Sequence, residues 1–195
     1  MKMSPSLTSY PVFPDWVFEG RLEIDDHMTD SILSDIKSVK NSSNVFTETN
    51  FGWITNKSII PGKNMLNINR LIHSLFVNNI SAHYQLADEN NIELCDTWAL
   101  GITKSHIAPV NVERHRWYQS VLYLQADDNS STLYFDQFGP KLYSTPIGVQ
   151  PYTHYIKPEK NKIIFFPAHL PWGFTPNASN ANTILLCTSF IIKKS

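Results

Sequence analysis

The sequence IIFFPAHLPWGFTPN, from Ile163 to Asn177, carries the strongest structural signal in this chain of 195 residues. It begins with a continuous apolar run that Pro167 ends, and Pro171 and Gly173 then mark a bend. A short apolar run bounded by turn residues is typical of a buried strand. The stretch therefore predicts a buried strand, a bend and a second short strand.

Most of the chain after Asp96 alternates between apolar and other residues, which is the period of a β-strand. The alternation begins at Trp98, Leu100 and Ile102. It continues in the segments 119–125, 132–136, 153–157, 163–166 and 183–192, which turn residues separate. About six to eight short strands with regular turn signals predict a sandwich or jelly roll.

The first half of the chain has helical periodicity instead. Its apolar residues predict one helix that starts at Thr29, as the N-cap, and ends near Asn41. They predict a longer helix from Asn64 to about Leu86, whose wide apolar stripe indicates packing against a sheet.

Residues 10–18 are aromatic and β-branched but contain Pro11 and Pro14, which predicts an edge strand. Strands and helices in separate parts of the chain predict an α+β fold. We expect one domain, residues 1–195, in which residues 1–95 support a jelly-roll core formed by residues 96–195.

Composition excludes several classes of function. A net charge of -1 with 17% charged residues gives no basic surface for nucleic acid or for an anionic membrane. No segment approaches the roughly 18 apolar residues of a membrane span, and the N-terminus lacks the apolar core of a signal peptide. Cys95 and Cys187 lack the spacing of a metal site, so we expect buried free thiols. Because the sequence shows neither a signal peptide nor a membrane span, we expect a cytoplasmic protein.

Several short motifs occur in an order that resembles one family. They are Gly52-Trp53, Trp98, the segment SVLYL at 120–124, and the ending Phe166-Pro167 followed by Pro176-Asn177. This order resembles the Fe(II)- and 2-oxoglutarate-dependent oxygenases of the type common in marine bacteriophages and cyanobacteria. The resemblance implies a double-stranded β-helix (jelly roll) of two antiparallel sheets with supporting N-terminal helices. It also implies a phage setting, in the host cytoplasm or the virion.

The resemblance places the iron ligands of the family at Asn111, Glu113 and Trp172. The family uses a His-x-His or His-x-Asp pair and a distal His at these positions. Of the three residues here, only Glu113 is a competent Fe(II) ligand, because an amide oxygen suits harder ions and an indole has no lone pair to give. We therefore expect a degenerate metal site that binds iron very weakly.

The co-substrate site of the family is also altered. The family holds the distal carboxylate of 2-oxoglutarate with an Arg on the last core strand, because a guanidinium matches a carboxylate. The matching region, residues 177–189, contains no Arg or Lys. We predict a pseudoenzyme without cofactors that serves as a binding or structural module for a protein partner. Trp172 should then fill the former pocket and donate its indole N–H to Glu113.

Two other hypotheses stay open. One is an active hydroxylase with Fe(II), 2-oxoglutarate and a displaced triad of Glu113, His115 and His169, since residues 113 and 115 share one face of a strand. The other is a jelly roll that binds carbohydrate or another small ligand by stacking on Trp117, Tyr118 and Trp172 at the former active-site mouth.

Overall fold

The structure is a computed structural model that describes residues 7–12, 15–40, 46–56, 63–84, 91–108, 111–112, 115–136 and 153–193. Asn41 and Leu86, the predicted ends of the two helices, lie outside the described residues, and so do Glu113 and Arg114. Within the described part of the chain, no helix is long and apolar enough to cross a membrane.

Helix α1 spans Asp26–Lys40 and begins before the predicted start. The carboxylate Oδ1 of Asp25 accepts a hydrogen bond of 2.7 Å from the backbone N–H of Met28. This is the N-cap arrangement, so Asp25 is the N-cap and the prediction of Thr29 is wrong. Thr29 lies inside the helix, where its hydroxyl donates to the backbone carbonyl of Asp25.

Helix α2 spans Lys63–Phe76 and continues into a π-helical turn at Val77–Ser81. Its buried residues include Met65, Ile68, Ile72, Leu75 and Phe76. They form one apolar core with residues of the larger sheet, so the predicted packing of this helix on the outside of a sheet is confirmed. We call this the helix-side core.

The described residues form eleven strands in two sheets. The strands are β1 (Thr8–Val12), β2 (Asp15–Arg21), β3 (Phe46–Thr49), β4 (Gly52–Thr55), β5 (Ile92–Ile102), β6 (Tyr118–Gln125), β7 (Leu133–Asp136), β8 (Thr153–Ile156), β9 (Lys162–Pro167), β10 (Trp172–Phe174) and β11 (Thr183–Ile192). The larger sheet has the order β1-β2-β9-β6-β11-β5-β4-β3, and the smaller has the order β10-β7-β8. All these strand pairs are antiparallel.

Two details of the strands differ from the sequence prediction. The edge strand predicted over residues 10–18 is a pair of strands, in which β1 lies at the edge and β2 lies between β1 and β9. Pro11 lacks a backbone N–H, and β1 tolerates it because an edge strand does not need every N–H for pairing. In addition, β5 begins at Ile92, ahead of the predicted core boundary at residue 96.

A second apolar core fills the space between the two sheets. Its members come from both sheets and include Trp98, Tyr123, Phe135, Phe166 and Leu185. We call this the inter-sheet core. The architecture is thus α+β, with a jelly-roll core of two antiparallel sheets and helices against the outer face of the larger one, as predicted.

Candidate functional site

Asn111 and Trp172 lie directly opposite each other at the edge of the smaller sheet, where β10 is the edge strand. They form an isolated antiparallel bridge beside β10. The backbone N–H of Asn111 donates to the carbonyl of Trp172 at 2.7 Å, and the N–H of Trp172 donates to the carbonyl of Asn111 at 3.1 Å. Residues that exchange both hydrogen bonds in this way place their side chains on the same face. The two positions are thus neighbours in the fold, although they are far apart in the sequence.

The Trp172 side chain is buried in the inter-sheet core, with 4% of the residue exposed. Its ring lies edge-on to those of Phe166 and Phe174, with centroid separations of 5.5 and 5.7 Å. The prediction that this indole points inward is confirmed. Glu113, its predicted acceptor, lies outside the described residues, and the buried indole nitrogen has no hydrogen-bond partner among the described ones.

The last strand, β11, forms the far wall of the inter-sheet space. Every residue from Thr183 to Phe190 is buried, and the strand contains no Arg or Lys. At its start, the Thr183 hydroxyl accepts a hydrogen bond of 3.1 Å from the backbone N–H of Ser131. The nearby Tyr123 hydroxyl donates to the carbonyl of Ser131 and accepts from the N–H of Leu133, both at 3.0 Å. These polar groups are therefore used within the fold.

Several solved structures are similar to this chain in fold, although their sequence identity to it is low. HygX from Streptomyces hygroscopicus with nickel and 2-oxoglutarate bound has a TM-score of 0.61 at 9% identity, over 90% of this chain and 82% of that chain. The non-heme alpha ketoglutarate dependent carbocyclase SnoK from nogalamycin biosynthesis has a TM-score of 0.67 at 5% identity, over 90% and 79%. A Pseudomonas putida prolyl-4-hydroxylase has a TM-score of 0.56 at 10% identity, over 92% and 88%. The sequence matches no protein-family model and no curated protein.

This chain has the fold of the Fe(II)/2-oxoglutarate oxygenases. Identities this low establish the fold alone, because function depends on the residues of the site. The bridge described above gives β10, the edge strand of the smaller sheet, a backbone partner at Asn111.

The displaced triad is only partly described. His115 is exposed in the turn that precedes β6. His169, with 61% of its side chain exposed, forms a hydrogen bond of 3.1 Å between its Nε2 and Oδ2 of Asp15. Among the described residues, no three His, Cys, Asp or Glu side chains lie close enough to hold a metal ion together. Because Glu113 is not among them, the displaced triad stays a hypothesis.

The hypothesis of a stacking surface requires Trp117, Tyr118 and Trp172 to lie together, but they lie on opposite sides of the larger sheet. Trp117 and Tyr118 pack against Phe76 of α2, with ring centroids 5.6 and 5.4 Å from that of Phe76. They belong to the helix-side core, whereas Trp172 belongs to the inter-sheet core. The prediction that Trp117, Tyr118 and Trp172 form one stacking surface is therefore wrong. The sequence alone gave no information about which face of the sheet each of the three side chains occupies.

A polar cluster on the larger sheet was missed by the sequence analysis. Oδ2 of Asp96 on β5 accepts hydrogen bonds from Nε of Arg116 at 2.9 Å and from the hydroxyl of Ser189 at 2.8 Å. Nη2 of Arg116 lies 2.8 Å from the same oxygen. The cluster joins the segment before β6 to β5 and β11. No local pattern could reveal it, since its three members come from distant parts of the chain.

The electrostatics of this cluster follow from its contacts. Burial by itself would raise the pKa of Asp96, but the hydrogen bonds from Ser189 and Arg116 and the charge of Arg116 outweigh it and lower that pKa. Burial raises the pKa of the neighbouring Cys95 thiol. A thiol with a raised pKa is a poor nucleophile at neutral pH, so we assign Cys95 no catalytic role. Cys95 and Cys187 form no disulfide.

Proposed function

We propose that this chain is a non-catalytic member of the oxygenase fold that serves as a binding or structural module for a protein partner. The observation that carries the proposal is the buried indole of Trp172 directly opposite Asn111. These are the positions that the family resemblance assigns to two of its iron ligands. The phage setting, in the host cytoplasm or the virion, is part of the proposal and is supported by the sequence motifs only.

The side chains at these two positions do not fit Fe(II). Asn111 can offer only an amide oxygen, and the indole of Trp172 has no lone pair for a metal. Removing a partner that merely orients a metal ligand costs about 10- to 100-fold in affinity. Replacing two ligands themselves should cost more. The proposal therefore assigns the protein no iron-dependent step.

The same reasoning applies to 2-oxoglutarate. A carboxylate in a buried site needs a charged or strongly hydrogen-bonding partner, which Arg supplies best. Strand β11 contains no basic residue, and the hydroxyl of Thr183 is already paired with Ser131. Aromatic rings of Phe166, Trp172 and Phe174 occupy the adjoining part of the inter-sheet core. These features support a packed interior in place of a co-substrate site.

Metal content is the decisive measurement. The purified protein, incubated anaerobically with Fe(II) or Co(II) and then desalted, should retain far less than one equivalent of metal. Millimolar 2-oxoglutarate should leave its melting temperature unchanged, because a ligand that does not bind the native state cannot stabilise it. One equivalent of iron, together with succinate formed from 2-oxoglutarate, would overturn the proposal.

A gain-of-binding variant provides the complementary test. The triple change Asn111→His, Glu113→Asp and Trp172→His should recover Co(II) binding, seen as visible absorption bands, whereas Asn111→His alone should not. Thermal unfolding checks that the triple variant is folded. If the natural protein binds iron and loses it on either His115→Ala or His169→Ala, the displaced triad is the site and the chain is an active hydroxylase.

A further inference from the structure

A groove of about 490 Å³ lies on the outer side of the larger sheet, between α2 and the start of β5. Its helical wall consists of residues at the spacing of one helix face, among them Leu66, Asn69, Arg70 and Ser74. Its strand wall includes Ile92 and Leu94. Ligand sites in proteins typically have volumes of about 300 to 1,000 Å³, so this groove is large enough for a small molecule. None of these residues belongs to the inter-sheet core.

Part of the groove is apolar. Leu66 is 46% exposed and presents an aliphatic side chain to the groove. Ile92 is buried, and Leu94 packs against the helix-side core. These three side chains offer a surface on which the apolar body of a ligand would lose contact with water.

A buried hydrogen-bond donor of Asn69, a residue of the groove wall, has no partner in the part of the chain that the structure describes. Asn69 is 6% exposed, and its Oδ1 accepts a hydrogen bond of 3.2 Å from the hydroxyl of Thr97. Its Nδ2 is buried and makes no hydrogen bond among the described residues. Buried polar groups are paired in most proteins because an unpaired one costs free energy. Within the described part of the chain, this amide N–H is therefore a buried donor without an acceptor.

Among the described residues, the groove also presents one cation that has no opposite charge beside it. Arg70 is exposed and has no ion-pair partner among the described residues. Glu93, which also lines the groove, is neutralised by Lys193, whose Nζ lies 2.9 Å from Oε2 of Glu93. His73 uses Nε2 in a contact of 3.0 Å with the carbonyl of Ile92. The charge available to a ligand is therefore that of the Arg70 guanidinium.

We propose that this groove binds an organic monocarboxylate with an apolar body. The carboxylate accepts hydrogen bonds from the Arg70 guanidinium, and the apolar body lies on Leu66, Ile92 and Leu94. A single unpaired cation matches a monoanion better than a dianion, and a guanidinium matches the two oxygens of a carboxylate. This site goes beyond the binding module proposed above, because it does not depend on the state of the inter-sheet core.

Calorimetric titration with octanoate tests the groove. Octanoate should bind the natural protein, and Arg70→Gln should weaken binding roughly tenfold to hundredfold, since a hydrogen bond to a charged group is lost. Arg70→Lys should retain part of the affinity. The matched control is Arg21→Gln, which removes another exposed arginine, one that pairs with Glu159 on the surface. This control should leave octanoate binding unchanged.

Two further measurements test the groove: a comparison of octanoate with acetate and 1-octanol, and the NMR signal of His73. The His73 imidazole signal in NMR should shift on addition of octanoate, and neither acetate nor 1-octanol should bind as tightly as octanoate. Absence of octanoate binding, equal losses in Arg70→Gln and Arg21→Gln, or equal affinity for 1-octanol would overturn the proposal. Binding of 2-oxoglutarate that survives Arg70→Gln would instead count against the proposed loss of the co-substrate site.

Discussion

Trp172 combines two opposing contributions to stability. Its ring packs against Phe166 and Phe174 in the inter-sheet core, which is favourable. Its indole nitrogen is buried without a partner among the described residues, which is unfavourable. We expect the net effect of Trp172 to be stabilising. The free energy gained by burying its large apolar surface should exceed the cost of leaving one N–H group unpaired.

We expect Trp172→Ala to lower the free energy of unfolding by about 3 to 5 kcal/mol, the cost of deleting a large buried aromatic side chain. Trp172→Phe should cost much less, since it keeps a ring and removes the unpaired N–H. Urea denaturation measures both. Tyr155→Ala is the control, because Tyr155 is 59% exposed and its loss should change stability by only about 0.5 kcal/mol. Equal effects of Trp172→Ala and Tyr155→Ala would contradict a packed interior.

Asp96 links protonation to stability through its contacts with Arg116 and Ser189. Its pKa in the folded protein is lower than its ordinary value of 3.8. A carboxyl group with a lowered pKa stabilises the fold above the pKa of the unfolded chain. That stabilisation is lost as the pH falls through the folded pKa, because the protonated group no longer attracts Arg116.

Asp96→Asn should therefore lower the free energy of unfolding by roughly 1 to 3 kcal/mol at neutral pH, the range for hydrogen bonds to charged groups. The difference from the natural protein should shrink as the pH is lowered below 3.8, the ordinary value. Denaturation curves at a series of pH values measure it. Asp26→Asn, which disrupts the exposed pair with Lys160, should have no measurable effect. A difference that is independent of pH would show that the charge of Asp96 is unimportant.

At the scale of elements, the β3–β4 hairpin is positioned by two glycines. Gly52 has φ 141°, a value that favours glycine, and a Cβ there would lie 2.1 Å from the carbonyl oxygen of Gly101. A Cβ at Gly101 would lie 2.1 Å from Cε2 of Trp53. The Trp53 ring therefore lies as close to β5 as it does because Gly101 lacks a side chain. This contact holds β4 on the edge of β5.

Gly101→Ala should destabilise the protein by about 1 to 3 kcal/mol, the usual cost of overpacking a well-filled site. If the clash involves the Trp53 ring, the same change should cost much less in a Trp53→Ala background, because the two residues share one contact. A double-mutant cycle of unfolding free energies measures this coupling. Additive costs would mean that Gly101 is required for a different reason.

At the scale of the whole molecule, the larger sheet is shared by both apolar cores. Its strands contribute Leu122 and Leu186 to the helix-side core, and Val121 and Leu185 to the inter-sheet core. Neither core can come apart without exposing one face of the same sheet. Unfolding should therefore be a single cooperative transition.

Two variants in different cores test this cooperativity. Ile72→Ala in the helix-side core and Leu185→Ala in the inter-sheet core should each cost about 2 to 5 kcal/mol. In each variant, far-UV circular dichroism and tryptophan fluorescence should report one shared midpoint. Separate midpoints for the two probes, in either variant, would show that the cores unfold independently.

The sequence by itself determined the elements whose signals are local. The apolar run at 163–166 became β9, the segment 183–192 became β11, and the stripe of α2 became a buried face, because alternation and helical spacing depend only on neighbouring residues. The resemblance carried by the motifs also identified the jelly-roll architecture. The sequence did not determine the cap of α1, because both Asp25 and Thr29 are good N-cap residues, and the folded backbone uses Asp25.

Only the tertiary structure decided which distant residues meet. Strand register placed Asn111 opposite Trp172, assigned Trp117 and Tyr118 to the helix side, and brought Asp96 to Arg116. Packing of α2 on the larger sheet brought Asn69 to Thr97 of β5. Pairing between strands depends on the packing of whole sheets, in which a shift of one residue moves each side chain to the opposite face. Local patterns carry no information about that choice, and for this reason the candidate sites could be judged only in the folded chain.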